Sequence, residues 1–270
     1  MEKSCKHIVL CLVVAVINLF CGCQTTRQRA ADGMLIATER HLKTGDLLFA
    51  FDPRGNAITA VTSGVQGLKI DHVGIVLKDK KQVVVAEATS RKGVILTPLA
   101  EFLTHNTIPG DRYPSVVRGR LKTNFDETML RTRVNHYLGL PYDSLYMPDD
   151  SAMYCSELVQ KCYVSKGGKA IFPTIPMSFH DASGQITPYW KAFYAQRHKA
   201  VPEGMSGTNP GQLSRDSVLK ISALPLYWTG LTLQSMVFSS SKRCFSLIKA
   251  ALFTPQNRWK ALNFGEVIAV

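Results

Sequence analysis

Residues Met153–Val164 have the sequence MYCSELVQKCYV, and the interpretation of the rest of the chain starts from this stretch. Leu158, Val159 and Cys162 stand at positions i, i+1 and i+4, the spacing of apolar side chains on one face of a helix. A polar, turn-rich segment comes immediately before it. The sequence therefore predicts that Cys155 lies where a loop enters the helix.

Two interpretations of Cys155 are open at this point. The unpaired N–H groups and the positive dipole end of a helix start favour a thiolate, which is the nucleophilic form of cysteine. Most free cysteines are instead small buried apolar residues, and this interpretation suits Cys162. Cys162 comes two helical turns later, about 10 Å along the axis, so the two sulfurs are too far apart for a disulfide.

The composition limits the class of protein. The chain has 270 residues, 46% of them hydrophobic, which is enough for one large domain with a core. Its formal net charge of +12 is spread along the chain. Diffuse positive charge favours a membrane or a polyanionic cell wall as the neighbouring surface. The sequence has no helix-turn-helix, stacking motif or metal-type cysteine spacing, so we expect no nucleic acid, metal or cofactor.

The amino-terminal residues have the pattern of a secretory signal. Lys3 and Lys6 precede the apolar run Ile8–Phe20, which is too short for a comfortable membrane span. The glycine before Cys23 resembles the bacterial lipobox, which implies a signal peptide over 1–22 and a diacylglycerol on Cys23. An uncleaved signal anchor and an ordinary cleaved signal are the alternatives.

The resemblance to a lipoprotein implies a location. Gln24 is not the aspartate that commonly retains lipoproteins in the inner membrane, so we expect an outer-membrane anchor facing the periplasm. Residues 23–31 form a polar tether. After cleavage three cysteines are left, at 155, 162 and 244. An exported protein with so few cysteines is not built on disulfides.

The body of the chain, over 32–222, alternates short strands with tight turns and a few helices. Strands are expected at Leu47–Phe51, Ile70–Leu77, Gln82–Ala88, Val94–Thr97 and Pro114–Arg120. Further helices are expected at Met34–Leu42, at Pro98–Leu103 with Thr97 as its N-cap, and at Asn124–Leu138. This order indicates an α+β fold with an antiparallel sheet.

Residues 223–270 differ from the body in composition, and we treat them as a carboxyl-terminal extension. Packing on the domain, contact with a membrane surface and disorder are all open for this segment.

His72 and Glu87 lie on neighbouring predicted strands. A lone strand histidine is commonly a half-buried structural residue, but an unpaired carboxylate in an apolar strand is costly. If the two strands pair as a hairpin around residues 79–81, His72 and Glu87 share one face within one residue of register. A carboxylate beside an imidazole fixes its tautomer, and a cysteine nearby would complete an activated nucleophile.

Five motifs in this order resemble one family. They are G-D-L-L-F, D-H-V-G-I-V, V-A-E-A, G-L-P-Y-D and Y-C-S-E-L-V, and they span about residues 44–222. Together they are similar to the YiiX-like group of circularly permuted NlpC-type papain-like cysteine peptidases and amidases. The histidine precedes the cysteine, as the permutation requires. The resemblance implies Cys155 as nucleophile, His72 as general base and Glu87 as the orienting acid.

The resemblance also implies a fold and a set of substrate-binding residues. The expected fold is a circularly permuted papain-like fold, with an antiparallel barrel-like sheet and the nucleophile's helix packed against it. Tyr154, Tyr142 and Asp143 are expected to border the substrate groove. For Tyr154 the alternative, an aromatic residue that only packs in the core, stays open. Glu157 is expected to be a structural acid of the helix start.

The predicted function is that of a monomeric cell-envelope cysteine hydrolase, anchored to the membrane by its lipid. It would cleave a peptide or acyl-amide bond through an acyl-thioester intermediate. Two alternatives stay open on this sequence. One is a lipid acyltransferase or thiol esterase on the same fold, and the other is an inactive binding module of the envelope.

Overall fold

The computed structural model describes residues 35, 37–80, 82–111 and 113–224. The predicted signal peptide, Cys23 with its tether, and residues 225–270 of the extension lie outside the described residues. Within the described part of the chain, no helix has both the length and the apolar character needed to cross a membrane.

Six strands form an antiparallel sheet in the order β4-β3-β2-β1-β5-β8. Strands β6 and β7 form a second, two-stranded antiparallel sheet that does not pair with the first. The predicted α+β class with an antiparallel sheet is confirmed. The strands are β1 (Leu47–Phe51), β2 (Ile70–Lys78), β3 (Val83–Thr89), β4 (Gly93–Pro98), β5 (Val116–Leu121), β6 (Ile175–Pro176), β7 (Ser206–Gly207) and β8 (Leu219–Ala223).

Helices flank the sheet. They are α1 (Leu99–His105), α2 (Glu127–Tyr137), α3 (Cys155–Cys162), α4 (Pro188–Ala195) and α5 (Pro210–Ser214), and residues 37–41 are helical before β1. Asp126 is the N-cap of α2, and its side chain accepts a hydrogen bond from the N–H of Met129. The helix predicted over Asn124–Leu138 is therefore real but begins three residues later.

Each face of the sheet has its own core. Successive side chains of a strand point to opposite faces, so the central strands contribute to both cores. On one face Val73 and Ile75 belong to the core that includes Leu158 and Val159 of α3. On the other face Val76 belongs to the core formed with α1. The helix that carries Cys155 thus packs against the sheet.

The start of α1 differs from the sequence prediction. The N-cap is Pro98, without a side-chain cap, and Thr97 stays in β4. A residue before proline is disfavoured in the helical region, so Thr97 keeps an extended backbone. Its hydroxyl is directed to Glu87. The predicted capping role of Thr97 was wrong.

A β-bulge adjoins His72. Ala50 pairs with His72 and Phe51 pairs with Ile70, so Asp71 is the extra residue of β2 at this point. A bulge changes the direction of the side chains that follow it, and bulges are common beside functional sites. The bulge therefore helps to set the direction in which the His72 side chain leaves the sheet.

Gly93 joins the sheet to the loop that follows α2. Its φ is +68°, and a Cβ at this position would lie 2.1 Å from the carbonyl oxygen of Leu140. The N–H of Val94 donates to that same oxygen at 2.9 Å. Because the loop continues directly into Tyr142, this contact fixes one end of a segment that reaches α3.

We expect Gly93→Ala to lower the free energy of unfolding by at least about 3 kcal/mol, because the new methyl group must displace a backbone carbonyl. Gly168→Ala is the matched control. Gly168 has a φ of +77° but nothing within 4 Å of the added Cβ. It should cost about 1 kcal/mol, from the left-handed backbone alone. Urea unfolding measures both, and equal losses would contradict the role given to the Leu140 contact.

Candidate active site

Cys155 is the first residue of α3 and is only 5% exposed. The residue before it, Tyr154, has an extended backbone and serves as N-cap. The loop-to-helix transition therefore occurs where the sequence predicted it. The first N–H groups of a helix have no partner within the helix, and they lie at this point beside the sulfur.

His72 and Glu87 meet across β2 and β3. Nε2 of His72 lies 2.6 Å from Oε2 of Glu87, and the Glu87 side chain is almost fully buried. Ile75 pairs with Ala86, so His72 and Glu87 occupy diagonal positions on the same face. The predicted hairpin register was correct to within one residue.

Thr97 completes the environment of Glu87. Its hydroxyl donates to Oε1 of Glu87 at 2.5 Å, so each carboxylate oxygen has a partner. Burial raises the pKa of Glu87, but the interactions with His72 and Thr97 outweigh burial and leave that pKa below its ordinary value. Glu87 is therefore a carboxylate at neutral pH.

The side chain of Cys155 interacts directly with the ring of His72. Since Nε2 is turned to Glu87, Nδ1 is the nitrogen left for the thiol. Burial of the ring lowers the pKa of His72, but the interactions with Cys155 and Glu87 outweigh it and raise the pKa to about 10. His72 is thus an imidazolium at neutral pH, and an imidazolium stabilises a neighbouring thiolate.

A cleft that is partly open to solvent adjoins Cys155. Its walls are mainly aromatic and aliphatic. They are formed by Ile58, Val61, Thr62, Tyr142, Tyr146, Tyr154, Ser156, Met177, Ser178, Phe179, Trp190, Thr208, Asn209 and Pro210. Such a surface suits an apolar substituent placed next to the sulfur.

Two of the predicted substrate-binding residues, Tyr142 and Tyr154, line this cleft. The hydroxyl of Tyr154 accepts a hydrogen bond from the N–H of Thr208 at 3.0 Å. Burial raises the pKa of Tyr154 to about 12, so the hydroxyl is neutral at physiological pH. Burial, followed by the nearby Cys155, also raises the pKa of Tyr142. Their binding of substrate stays a prediction.

Asp143, the third predicted substrate-binding residue, is buried and is engaged by its own loop. Its two carboxylate oxygens accept hydrogen bonds from the N–H groups of Leu145 at 2.8 Å and Met147 at 2.6 Å. It is not among the described residues that line the cleft. Contact of Asp143 with substrate stays a prediction, and the structure gives its carboxylate a role in the loop.

Glu157 lies in the first turn of α3 and pairs with Lys161 at 2.7 Å. One of its carboxylate oxygens lies 3.5 Å from the N–H of Tyr154. Burial raises the pKa of Glu157 to about 7, and the pair with Lys161 opposes this rise. These contacts agree with the structural role expected for this acid.

Two hydroxyl groups at the cleft have unused hydrogen-bonding capacity. Ser156 Oγ and Thr208 Oγ1 are buried and have no hydrogen-bond partner among the described residues. A buried polar atom without a partner calls for an explanation, such as a bound water or a ligand.

Two residues at the site, Thr97 and Tyr146, were not predicted from the sequence as site residues. Thr97 could have been found from the β3–β4 hairpin, because Glu87 pairs with Ile95 and Thr97 is two residues further along that strand. Residues two apart on a strand share a face. Tyr146 lies in an irregular loop, and no periodicity in the sequence points to it.

The sheet, the helix with its cysteine and the histidine on β2 together define a permuted papain-like protein. The family described as permuted papain-like amidase enzyme, YaeF/YiiX, C92, matches residues 41–221. The chain belongs to this family, which is named for amidase activity.

Two relatives from Escherichia coli are similar to this chain. The uncharacterized protein YiiX of strain K12 is 30% identical over 132 residues, which cover 48% of this chain and 61% of the relative. The chain thus matches less than two thirds of that relative's length. A crystal structure of yiiX from O157:H7, described as a metalloprotein, has a TM-score of 0.53 and 24% identity. The match covers 67% of this chain and 96% of that one, and it shows a shared fold.

We expect Glu87→Gln to lower the pKa of His72 by at least about one unit, because it removes an opposite charge from the ring. The imidazolium, which in the wild type persists to about pH 10, would then be lost at lower pH. Histidine NMR signals followed against pH measure the midpoint.

Glu157→Gln is the control for this titration, since Glu157 is also a buried carboxylate near Cys155 but pairs with Lys161. The His72 midpoint should stay in place in this variant. An unchanged midpoint in Glu87→Gln would contradict the electrostatic role assigned to Glu87.

Proposed function

We propose that the protein is a cysteine hydrolase that cleaves an amide bond through Cys155, His72 and Glu87. One observation carries the proposal. A cysteine at a helix start lies near an imidazole on β2, and this imidazole contacts a carboxylate on β3. These residues are up to 83 positions apart in the sequence, from His72 to Cys155. This is the arrangement of an activated nucleophile whose base is oriented by a third group.

The first half of the reaction forms an acyl-enzyme. The Cys155 thiolate attacks the amide carbonyl, and the resulting oxyanion is held by unpaired N–H groups at the start of α3. The C–N bond then breaks, and the His72 imidazolium gives its proton to the departing amine. The products of this half are a free amine, a thioester on Cys155 and a neutral imidazole.

The second half restores the enzyme. Neutral His72 takes a proton from a water molecule, whose oxygen attacks the thioester carbonyl. The C–S bond breaks, the carboxylic acid leaves and the sulfur returns to the thiolate beside the imidazolium. Throughout, Glu87 orients the ring by accepting from Nε2–H, and the hydroxyl of Thr97 fixes Glu87.

The metalloprotein description of the E. coli yiiX structure raises the question of a metal in this chain. Within the described residues, no group of three or more His, Cys, Asp or Glu side chains could hold an ion. The side chains used in the steps above all belong to the described residues.

The cleft supports an amide whose acyl part is apolar. Met177, Phe179 and Trp190 offer aromatic and thioether surface within the same cleft as the nucleophile. Both an apolar peptide side chain and a fatty acyl group suit this surface. It also favours the second candidate function, acyl transfer from a lipid, in which an alcohol or amine replaces water in the second half of the reaction.

We expect Cys155→Ala to reduce turnover by at least about 10³-fold, because no other group can form the thioester. Cys162→Ala is the matched control on the same helix, since burial raises the pKa of the Cys162 thiol to about 12 and keeps it unreactive. Release of amine from acyl-amino-acid amides and from cell-wall peptides measures hydrolysis. Full turnover in Cys155→Ala would overturn the proposal, and formation of a transferred acyl product would favour the acyltransferase.

The cell-envelope location is a separate proposal, carried by the Gly-Cys pair at residues 22–23. We expect Cys23→Ala to abolish incorporation of an alkyne-tagged fatty acid in a bacterial host. Cys21→Ala is the matched control, because it places the usual alanine two residues before the lipidated cysteine and should keep the label. If Cys23→Ala were labelled as strongly as the wild type, lipidation at Cys23 would be contradicted.

A further inference from the structure

Tyr146 has a strained backbone. Its φ is +55°, a left-handed conformation that large side chains rarely adopt. Two other non-glycine residues of the described chain share this conformation, Gln66 and His198, and both are exposed. Tyr146 is different because its side chain lines the cleft beside Cys155. Strain of this kind persists where the surrounding structure imposes it, and it clusters at functional sites.

The carboxylate of Asp143 imposes this conformation. It accepts hydrogen bonds from the N–H groups on both sides of Tyr146, at Leu145 and Met147. It also interacts with the backbone of Tyr146 itself. A turn in which one buried carboxylate holds the amides on both sides of the central residue leaves that residue little freedom. Asp143 is 8% exposed, so water competes weakly for these bonds.

Aromatic neighbours then fix the ring of Tyr146. It makes edge-to-face contacts with Tyr154 at 5.2 Å and with Trp190 at 5.8 Å between ring centroids. Its hydroxyl is near enough to that of Tyr142 for each to affect the pKa of the other. All three partners line the cleft. The ring is therefore a fixed wall of the cleft and is not a mobile surface group.

We propose that Tyr146 is a specificity-determining residue that positions an apolar substituent of the substrate beside Cys155, and that Asp143 is the positioning residue that holds it there. The inference rests on the proposed function, since it concerns the same nucleophile. It assigns Asp143 a role through the loop backbone in place of a direct contact with substrate.

The test compares two alkylating reagents on the full chain. Iodoacetamide is small and N-hexyl iodoacetamide carries an apolar tail, and with both the Cys155 thiolate displaces iodide from carbon. Peptide mass spectrometry reads the modification rate at Cys155. The ratio of the two rates cancels changes in thiol reactivity, so it reports recognition of the tail by the cleft.

In the wild type the hexyl reagent should react faster than iodoacetamide. Tyr146→Ala should lower the ratio by about tenfold, the scale of a lost apolar contact in a binding pocket. Tyr146→Phe, which keeps the ring, should restore it. Tyr113→Ala removes a half-exposed tyrosine outside the cleft and should keep the wild-type ratio.

A double-mutant cycle tests the link to Asp143. Asp143→Ala should lower the ratio as Tyr146→Ala does, and the double variant should be no lower than either single one, because both changes remove the same wall. Asp143→Asn keeps one accepting oxygen, so its rate ratio should lie between those of the wild type and Asp143→Ala. It also provides a variant for measurement if Asp143→Ala does not fold.

The outcomes separate this inference from the proposed function. A reactive Cys155 whose ratio is the same in Tyr146→Ala and the wild type would overturn the inference and leave the hydrolase proposal standing. Multiplicative effects of the two substitutions would overturn the role of Asp143. A wild-type Cys155 no more reactive than a free thiol toward iodoacetamide at neutral pH would overturn the proposed function and, with it, this inference.

Discussion

The buried contact between Glu87 and His72 is the interaction on which the site depends. A carboxylate inside an apolar strand would be costly without partners, and here both of its oxygens are satisfied. The charge of Glu87 stabilises the imidazolium form of His72, and an imidazolium stabilises a neighbouring thiolate. The nucleophile proposed at Cys155 depends on this pair, because the imidazolium that lies near the sulfur is held by Glu87.

Much of the fold follows from local pattern. The strand Leu47–Phe51 has the bounds that alternation and turn residues predict, and β2 and β3 end within a residue or two of their predicted limits. Apolar, β-branched runs between polar turns leave few alternative pairings, so the β2–β3 register and the proximity of His72 to Glu87 could be predicted. The resemblance to the family then identified Cys155 as the nucleophile expected beside this pair.

The remaining features depend on tertiary context. Threonine is a common N-cap residue, but the proline after Thr97 keeps it in the strand. There its hydroxyl donates a hydrogen bond to Glu87. Asp143 and Tyr146 lie in an irregular loop, where a single carboxylate determines the backbone. Neither periodicity nor propensity describes such a loop, because its conformation comes from hydrogen bonds between particular atoms.

The order of the strands has a consequence for biosynthesis. β1 to β4 follow one another in the chain, and β2, β3 and β4 pair as successive hairpins, so His72 and Glu87 can meet through local contacts. Synthesis proceeds from the amino terminus, so this half is made before Cys155. The His72–Glu87 pair can therefore form before Cys155 has been made, and the site is complete only when α3 packs on the sheet.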